Sequence, residues 1–260
     1  MKIGVSGLGY QCGEHLNEVL QPWFDLKISH THEVLISVAH GIFPELYAIS
    51  QRDPEPPDGS IASLQEYLAD GRLDALFVSP EPKYEWDLRT CTLPVLVERQ
   101  IDLLWLLDLQ DEIYSVREIL SIIDFVESHQ GMIWFRVNFK NYAFAPNCYV
   151  EDFVVPRIWR ARKPSTIRCF HYDNSITYED GQKQESLPHC TIPRNLAFPR
   201  HLSWVGTPQY LKRKIRFQNI HYGICSYKWD EERNCLQFNE DYYLRFKKQK
   251  PEVHRESECQ

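Results

Sequence analysis

The chain is 260 residues long, 43% hydrophobic and 25% charged, with a formal net charge of −7. That length suffices for one large α/β domain with a full core, and the composition is that of an ordinary globular protein. The negative balance argues against a protein whose main task is to wrap nucleic acid or coat an anionic membrane, since both need a positive field, so any basic patch has to be local.

No apolar run approaches the roughly 20 residues that span a bilayer, and Met1-Lys2-Ile3-Gly4 leads into a strand rather than a signal peptide. The expectation is a cytoplasmic protein (host cytoplasm if viral) with no transmembrane segment and no nucleic-acid partner. Eight cysteines are scattered without a CxxC pair or zinc-type histidine spacing, which predicts mostly free, buried thiols.

The first predicted element is a strand over Ile3–Ser6, followed by Gly7-x-Gly9 and by a helix from Gly13 to Trp23, with Leu16, Val19, Leu20 and Trp23 at helical spacing. A β-branched run, Glu33–Val38, predicts the second strand, ending at His40-Gly41. Residues 51–59 form a polar, proline-dense loop; a helix is expected from Ser60 to Gly71, a third strand over Leu73–Ser79, and a helix over Tyr84–Arg99, kinked at Pro94.

Ile101–Leu107 is nearly all apolar, as a strand buried on both faces should be, and it stops abruptly at Asp108, Asp111 and Glu112. Ser115-x-x-Glu118 is a capping box for the next helix, whose apolar face is Val116, Ile119, Leu120, Ile123 and Val126. Acids therefore gather at the C-terminal end of a central strand, where open α/β sheets place ligands. Of these, Glu112 reads as a solvated first-turn acid in a supporting role.

Beyond Gly131 the pattern turns to alternation, with Ile133, Phe135, Val137 and Phe139 on one face and Trp134, Arg136, Asn138 and Lys140 on the other. It predicts a half-buried strand, with similar ones over Phe153–Arg160 and Ile167–Tyr172 and a second half richer in β structure. Thr207-Pro208 marks a helix start running to about Asn219, whose Lys212, Arg213, Lys214 and Arg216 are candidates to meet a diphosphate. No internal repeat is present. The expected organisation is a single domain over residues 1–246 and a charged, loose tail over 247–260.

The opening glycines suggest a dinucleotide turn, the basis for an alternative reading as a nicotinamide-dependent oxidoreductase built on Gly7, Gly9 and Gly13. That fold wants an acid at the end of the second strand for the ribose hydroxyls, and this strand ends Val38-Ala39-His40-Gly41. It also leaves the acids at 108 to 112 without a role. A sugar nucleotide at the opening loop accounts for both, with Asp108 and Asp111 managing a divalent ion on its diphosphate, because hard oxygen ligands suit magnesium or manganese.

These residues resemble GT-A glycosyltransferases, in particular small bacterial and phage enzymes similar to the large inverting family 2. GVSGLGYQCGEHLNEVL is similar to their first strand, nucleotide loop and helix; EWDLRTCTLPVLVERQIDLLWLLDLQDEIYS to their arginine-bearing helix and metal-binding strand; FRVNFKNY and RHLSWVG to later strands and a closing segment. The resemblance spans most of residues 1 to 225 and is most specific in LLDLQDEIYS and HLSW.

It implies a GT-A-like, Rossmann-like mixed central sheet flanked by helices, and a hexosyltransferase-type enzyme (EC 2.4). Such an enzyme moves a sugar, by inversion, from a nucleoside-diphosphate sugar to a glycan, lipid or protein acceptor with Mn²⁺ or Mg²⁺. It makes Asp111 a metal ligand, places Asp108 at the ribose or the metal, brings in His201 as a late metal ligand, and puts Gly9, Tyr10 and Arg89 at the nucleotide. The family's Asp-x-Asp is here Asp108-x-x-Asp111, which leaves the division of roles between the two acids open. An inverting enzyme needs a general base; Glu151 and Asp152, in an expected loop between two β segments, are candidates, with Asp152 favoured. A second alternative is a non-catalytic protein that binds a nucleotide sugar without turnover.

Overall fold

The computed structural model describes residues 1–29, 32–51, 58–161, 167–171, 175–246 and 248–256, with the side chains of Asp152 and Tyr222 left aside. Strand and helix alternate first: β1 (Lys2–Gly9), α1 (Leu16–Ser29), β2 (Glu33–His40), α2 (Pro44–Ser50), α3 (Ser60–Ala69), β3 (Ala75–Val78), α4 (Glu85–Glu98), β4 (Leu103–Asp108), β5 (Glu112–Ile113) and α5 (Val116–Ser128). Strands then dominate: β6 (Trp134–Ala143), β7 (Cys148–Arg160), β8 (Ile167–Phe170), β9 (Ile176–Tyr178), β10 (His189–Thr191) and β11 (Arg200–Trp204). The chain continues through α6 (Pro208–Tyr222), β12 (Tyr227–Asp230), β13 (Cys235–Phe238), α7 (Glu240–Arg245) and β14 (Val253–Arg255). The result is a mixed α/β fold whose second half is the richer in strands. Most of the proline-dense loop, residues 52–57, lies outside the described residues.

Two compact units emerge, one made of residues 1–44, 56–138 and 154–199, the other of 45–55, 139–153 and 200–260. In the first, the strand order is β3-β2-β1-β4-β7-β6. The first four strands run parallel and β7 is antiparallel to β4, with Leu103 opposite Arg160 and Trp105 opposite Ile158. As its composition demands, β4 is buried on both faces: Leu104 and Leu106 join a core with Leu93, Leu96, Trp159 and Phe170. Trp105 packs edge-on against Trp23 and Tyr114 at 4.8 and 5.3 Å on the other side. The capping box of α5 forms, Glu118 N donating to Ser115 Oγ at 3.2 Å and Ser115 N to Glu118 Oε2 at 2.9 Å. This fixes where the chain turns back after the acids.

Several expectations change, and the first helix runs over Leu16–Ser29 rather than Gly13 to Trp23. β1 extends through Gly7 and Gly9, so these glycines belong to a strand rather than a loop. β6 is buried on both faces apart from Arg136 and Lys140, because Trp134 Nε1 donates to the Gln184 and Leu187 carbonyls and Asn138 Nδ2 to the Ile192 carbonyl, which cover its polar side. The segment holding Glu151 and Asp152 is continuous strand in β7, not a loop.

The second unit centres on Trp204, Leu211, Cys225, Tyr227 and Leu236. Its α6 starts on Thr207, whose side chain accepts from Tyr210 N at 3.2 Å with Pro208 at the first position, and stops at Gly223 with φ 77°. The tail is not wholly loose: β14 pairs antiparallel with β7, Val253 opposite Val150. Among the described residues seven cysteines are free, Cys12, Cys148 and Cys225 being buried, and no helix is long and apolar enough to cross a membrane.

Candidate functional site

β1 lies between β2 and β4, and the strand order 3-2-1-4 reverses there, the position at which a parallel sheet opens a crevice beyond its carboxyl ends. Leu8 stands opposite Asp108 and Gly9 opposite His40. Beyond the strands, Gln110 Nε2 donates to the Tyr10 carbonyl and Leu109 N to the Leu8 carbonyl at 2.9 Å, tying the two strand ends together. Gly9, Tyr10, Arg89 and Asp108, drawn from three separate stretches of sequence, thus meet in the first unit.

Asp108 is the hub. Its Oδ1 accepts from Arg89 Nη2, and its Oδ2 from Arg157 Nη2 at 2.9 Å. Arg89 also donates to Glu85 Oε1 at 3.0 Å, one turn back on α4. Arg157 donates from Nε to Glu112 Oε1 at 2.7 Å, while Asp108 N donates to Glu112 Oε2 at 3.2 Å. Both guanidinium groups and Glu112 are essentially buried, whereas the Asp108 and Glu85 side chains are 27% and 31% exposed, so these two carboxylates form the open edge of the group. Asp111 is buried beside them at 6%.

Two guanidinium groups here face three carboxylates, Glu85, Asp108 and Glu112. Burial pushes the Glu112 carboxyl up to about 8, with Arg157 pulling it back and Asp108 pushing it further. Arg157 is held above its ordinary value: burial opposes its charge, and Glu112 and Asp108 more than offset that. Glu112 is therefore a fully buried member of the network rather than a solvated first-turn acid.

The glycines have packing reasons of their own. A Cβ on Gly9 would stand 2.8 Å from Cys12 Sγ, and one on Gly13 would stand 2.4 Å from the Asp58 carbonyl oxygen. Asp58 Oδ2 accepts from Gly13 N at 2.7 Å and Oδ1 from Ser60 N at 3.0 Å; burial disfavours its charge, but these hydrogen bonds hold its carboxyl below the usual range. A carboxylate of the chain itself thus occupies the Gly13 amide. His40, in place of a ribose-binding acid, lies 3.0 Å from Ser60 Oγ, and burial lowers its pKa.

His201 belongs to the second unit. It is buried at 6%, donates from Nδ1 to Asn141 Oδ1 at 2.9 Å and stacks on Phe153 at 4.2 Å. Asp152 lies in the same unit, its side chain outside the described set. The basic residues of α6 have local partners: Lys212 pairs with Glu231 at 2.7 Å, Arg213 donates to Ser50 Oγ at 2.5 Å, and Lys214 donates to Ser203 Oγ. Among the described residues no three His, Cys, Asp or Glu side chains are grouped to hold a metal ion. With both Asp108 oxygens already accepting from arginines, the side chains as placed do not fit Mn²⁺ or Mg²⁺ by themselves.

Arg157 is the site residue that sequence reading missed. Its signal was present: in an apolar strand it shares the Val155 and Trp159 side of the period-2 alternation, and a charge there needs a buried partner. Next along the same strand ends, a cavity of about 470 Å³ is lined by Phe77, Ser79, Lys83, Leu88 and Cys91 among others.

No protein-family model matches the chain, and no curated protein matches it. Two solved structures, S. aureus TarS and S. aureus TarS 1-349, are similar to it at 12% identity and a TM-score of 0.40 over 62% of this chain. The chain spans 28% and 47% of their respective lengths. Likeness at that level decides neither fold family nor activity.

Proposed function

We propose that the chain is a glycosyltransferase of GT-A-like fold that takes a sugar from a nucleoside diphosphate to a glycan, lipid or protein acceptor. The observation that supports this reading is the convergence of Gly9, Tyr10, Arg89 and Asp108 at the switch point of the parallel strands, around the partly open Asp108 carboxylate. Asp108 accepts a hydroxyl of the ribose or donor sugar, and its two arginines fix its orientation. The base lies in the cavity at the end of β3, whose volume is in the range of small-ligand sites.

Transfer with inversion is a single displacement. An acceptor oxygen attacks the anomeric carbon, the bond to the diphosphate oxygen breaks with its electron pair leaving on the diphosphate, and a carboxylate takes the acceptor proton. No step is assigned to a divalent ion. The nicotinamide alternative is disfavoured by His40, which stands at the end of β2 where a ribose-binding acid is wanted.

The test is calorimetric titration with nucleoside diphosphates, their sugars and NADH, each with and without Mn²⁺, because a diphosphate carries the further oxygen donors that these side chains lack. One nucleoside-diphosphate sugar is expected to bind saturably, and Asp108→Asn to weaken it by about tenfold, the scale of one charge-assisted hydrogen bond. Saturable NADH binding with no response to any sugar nucleotide would overturn the proposal. Slow hydrolysis of the bound donor without acceptor separates an enzyme from a non-catalytic binder.

A further inference from the structure

Between Tyr243 and β14 the second unit holds a short stretch whose chemistry differs from the rest of the chain. Leu244-Arg-Phe-Lys-Lys-Gln-Lys250 carries four bases and no acid in a protein of net charge −7. α7 is anchored by Tyr243, buried at 6% and packed edge-on against Phe238 at 5.6 Å. The residues around that anchor face water. Leu244 is 76% exposed, the highest value among the large apolar side chains described, and Phe246 is 47% exposed with its ring 5.0 Å from Tyr242.

The cations sit around these rings. The Arg245 guanidinium is 5.6 Å from the Phe246 ring, and Lys248 Nζ is 5.6 Å from the Tyr242 ring and 3.4 Å from its hydroxyl. Lys250 pairs with Glu240, while Asp241 stands beside it in the first turn of α7. Arg245 and Lys248 have no carboxylate partner among the described residues.

We propose that this segment is a membrane-surface contact that binds anionic lipid headgroups. Exposed leucine and phenylalanine between basic side chains match a surface with negative charge outermost and hydrocarbon just beneath it. Nucleic acid would use the charges but has no use for an exposed leucine. With few bases and two apolar groups, the contact is weak, reversible and dependent on salt. It does not rest on the glycosyl-transfer reading, since none of its residues is among those assigned to donor binding or proton transfer.

Flotation of the full chain with vesicles tests it, comparing phosphatidylcholine alone with phosphatidylcholine plus phosphatidylglycerol. Binding is expected to the anionic vesicles and to fall as salt is raised. Leu244→Asp should lower partitioning about tenfold and Lys248→Glu at least about fivefold. Both side chains are exposed, so thermal unfolding should match the parent protein. Equal binding to both vesicles, no binding to either, or unaltered flotation of Leu244→Asp would each overturn the proposal. Binding to RNA that Leu244→Asp leaves intact, without vesicle binding, would assign the patch to nucleic acid instead.

Discussion

Replacing Arg157 by methionine removes the cation that faces Asp108 and Glu112 at once. Methionine keeps much of the volume of the 3% exposed arginine stem, so the perturbation is chiefly electrostatic. Asp108 retains Arg89, but Glu112, fully buried, is left with the Asp108 N–H at 3.2 Å and no cation. Breaking a buried pair from one side costs about 3–5 kcal/mol. Glu112 can relieve part of this by holding a proton, since burial already pushes it up to about 8, which sets the expectation near the lower limit, about 3 kcal/mol. At about 2–4 °C per kcal/mol for a chain of this size, Tm should fall by about 6–12 °C.

Glu112→Gln in the Arg157→Met background removes the orphaned charge and should restore about 1–2 kcal/mol. Urea titration at neutral pH of the parent, both single variants and the double variant gives the coupling directly. A loss under about 1 kcal/mol for Arg157→Met, or strict additivity of the two changes, would show that the guanidinium does not hold this network together.

The same glutamate sets a pH dependence. Its folded-state pKa, about 8, lies above the ordinary 4.5, so between these values the folded state binds more protons than the unfolded one and stability declines as pH rises. Glu112→Gln should flatten that slope in denaturation curves taken at several pH values. Gly13→Ala places a methyl 2.4 Å from the Asp58 carbonyl oxygen and should cost about 1–3 kcal/mol in thermal unfolding; an unchanged Tm would mean that the turn yields freely. If Asp152 is the general base, Asp152→Asn should reduce kcat about a hundredfold or more while donor affinity stays unchanged, and loss of donor binding instead would remove it from that role.

Much of the first unit was legible from local pattern. The apolar run before Asp108 is β4, Ser115-x-x-Glu118 caps α5, and the helix predicted over Tyr84–Arg99 is α4 within a residue of each end. These features depend on neighbours within a few positions, and periodicity and capping report such neighbours. Glu112 was misjudged because an acid in the sequence carries no mark of its partner, which lies 45 residues away on another strand.

What the sequence by itself determined is therefore most of the elements in the first half, α2 and β5 excepted, and the gathering of acids at the end of β4. Tertiary structure decided which charges those acids meet. β7 runs back alongside β4, which brings Arg157 onto the Asp108 carboxylate, while α4 delivers Arg89 to its other oxygen. It likewise decided that β6 is buried on both faces and that the tail contributes a strand to β7. The physical reason is common to all three: pairing between distant segments is selected by the burial and charge balance of the assembled core, which no short window of residues contains.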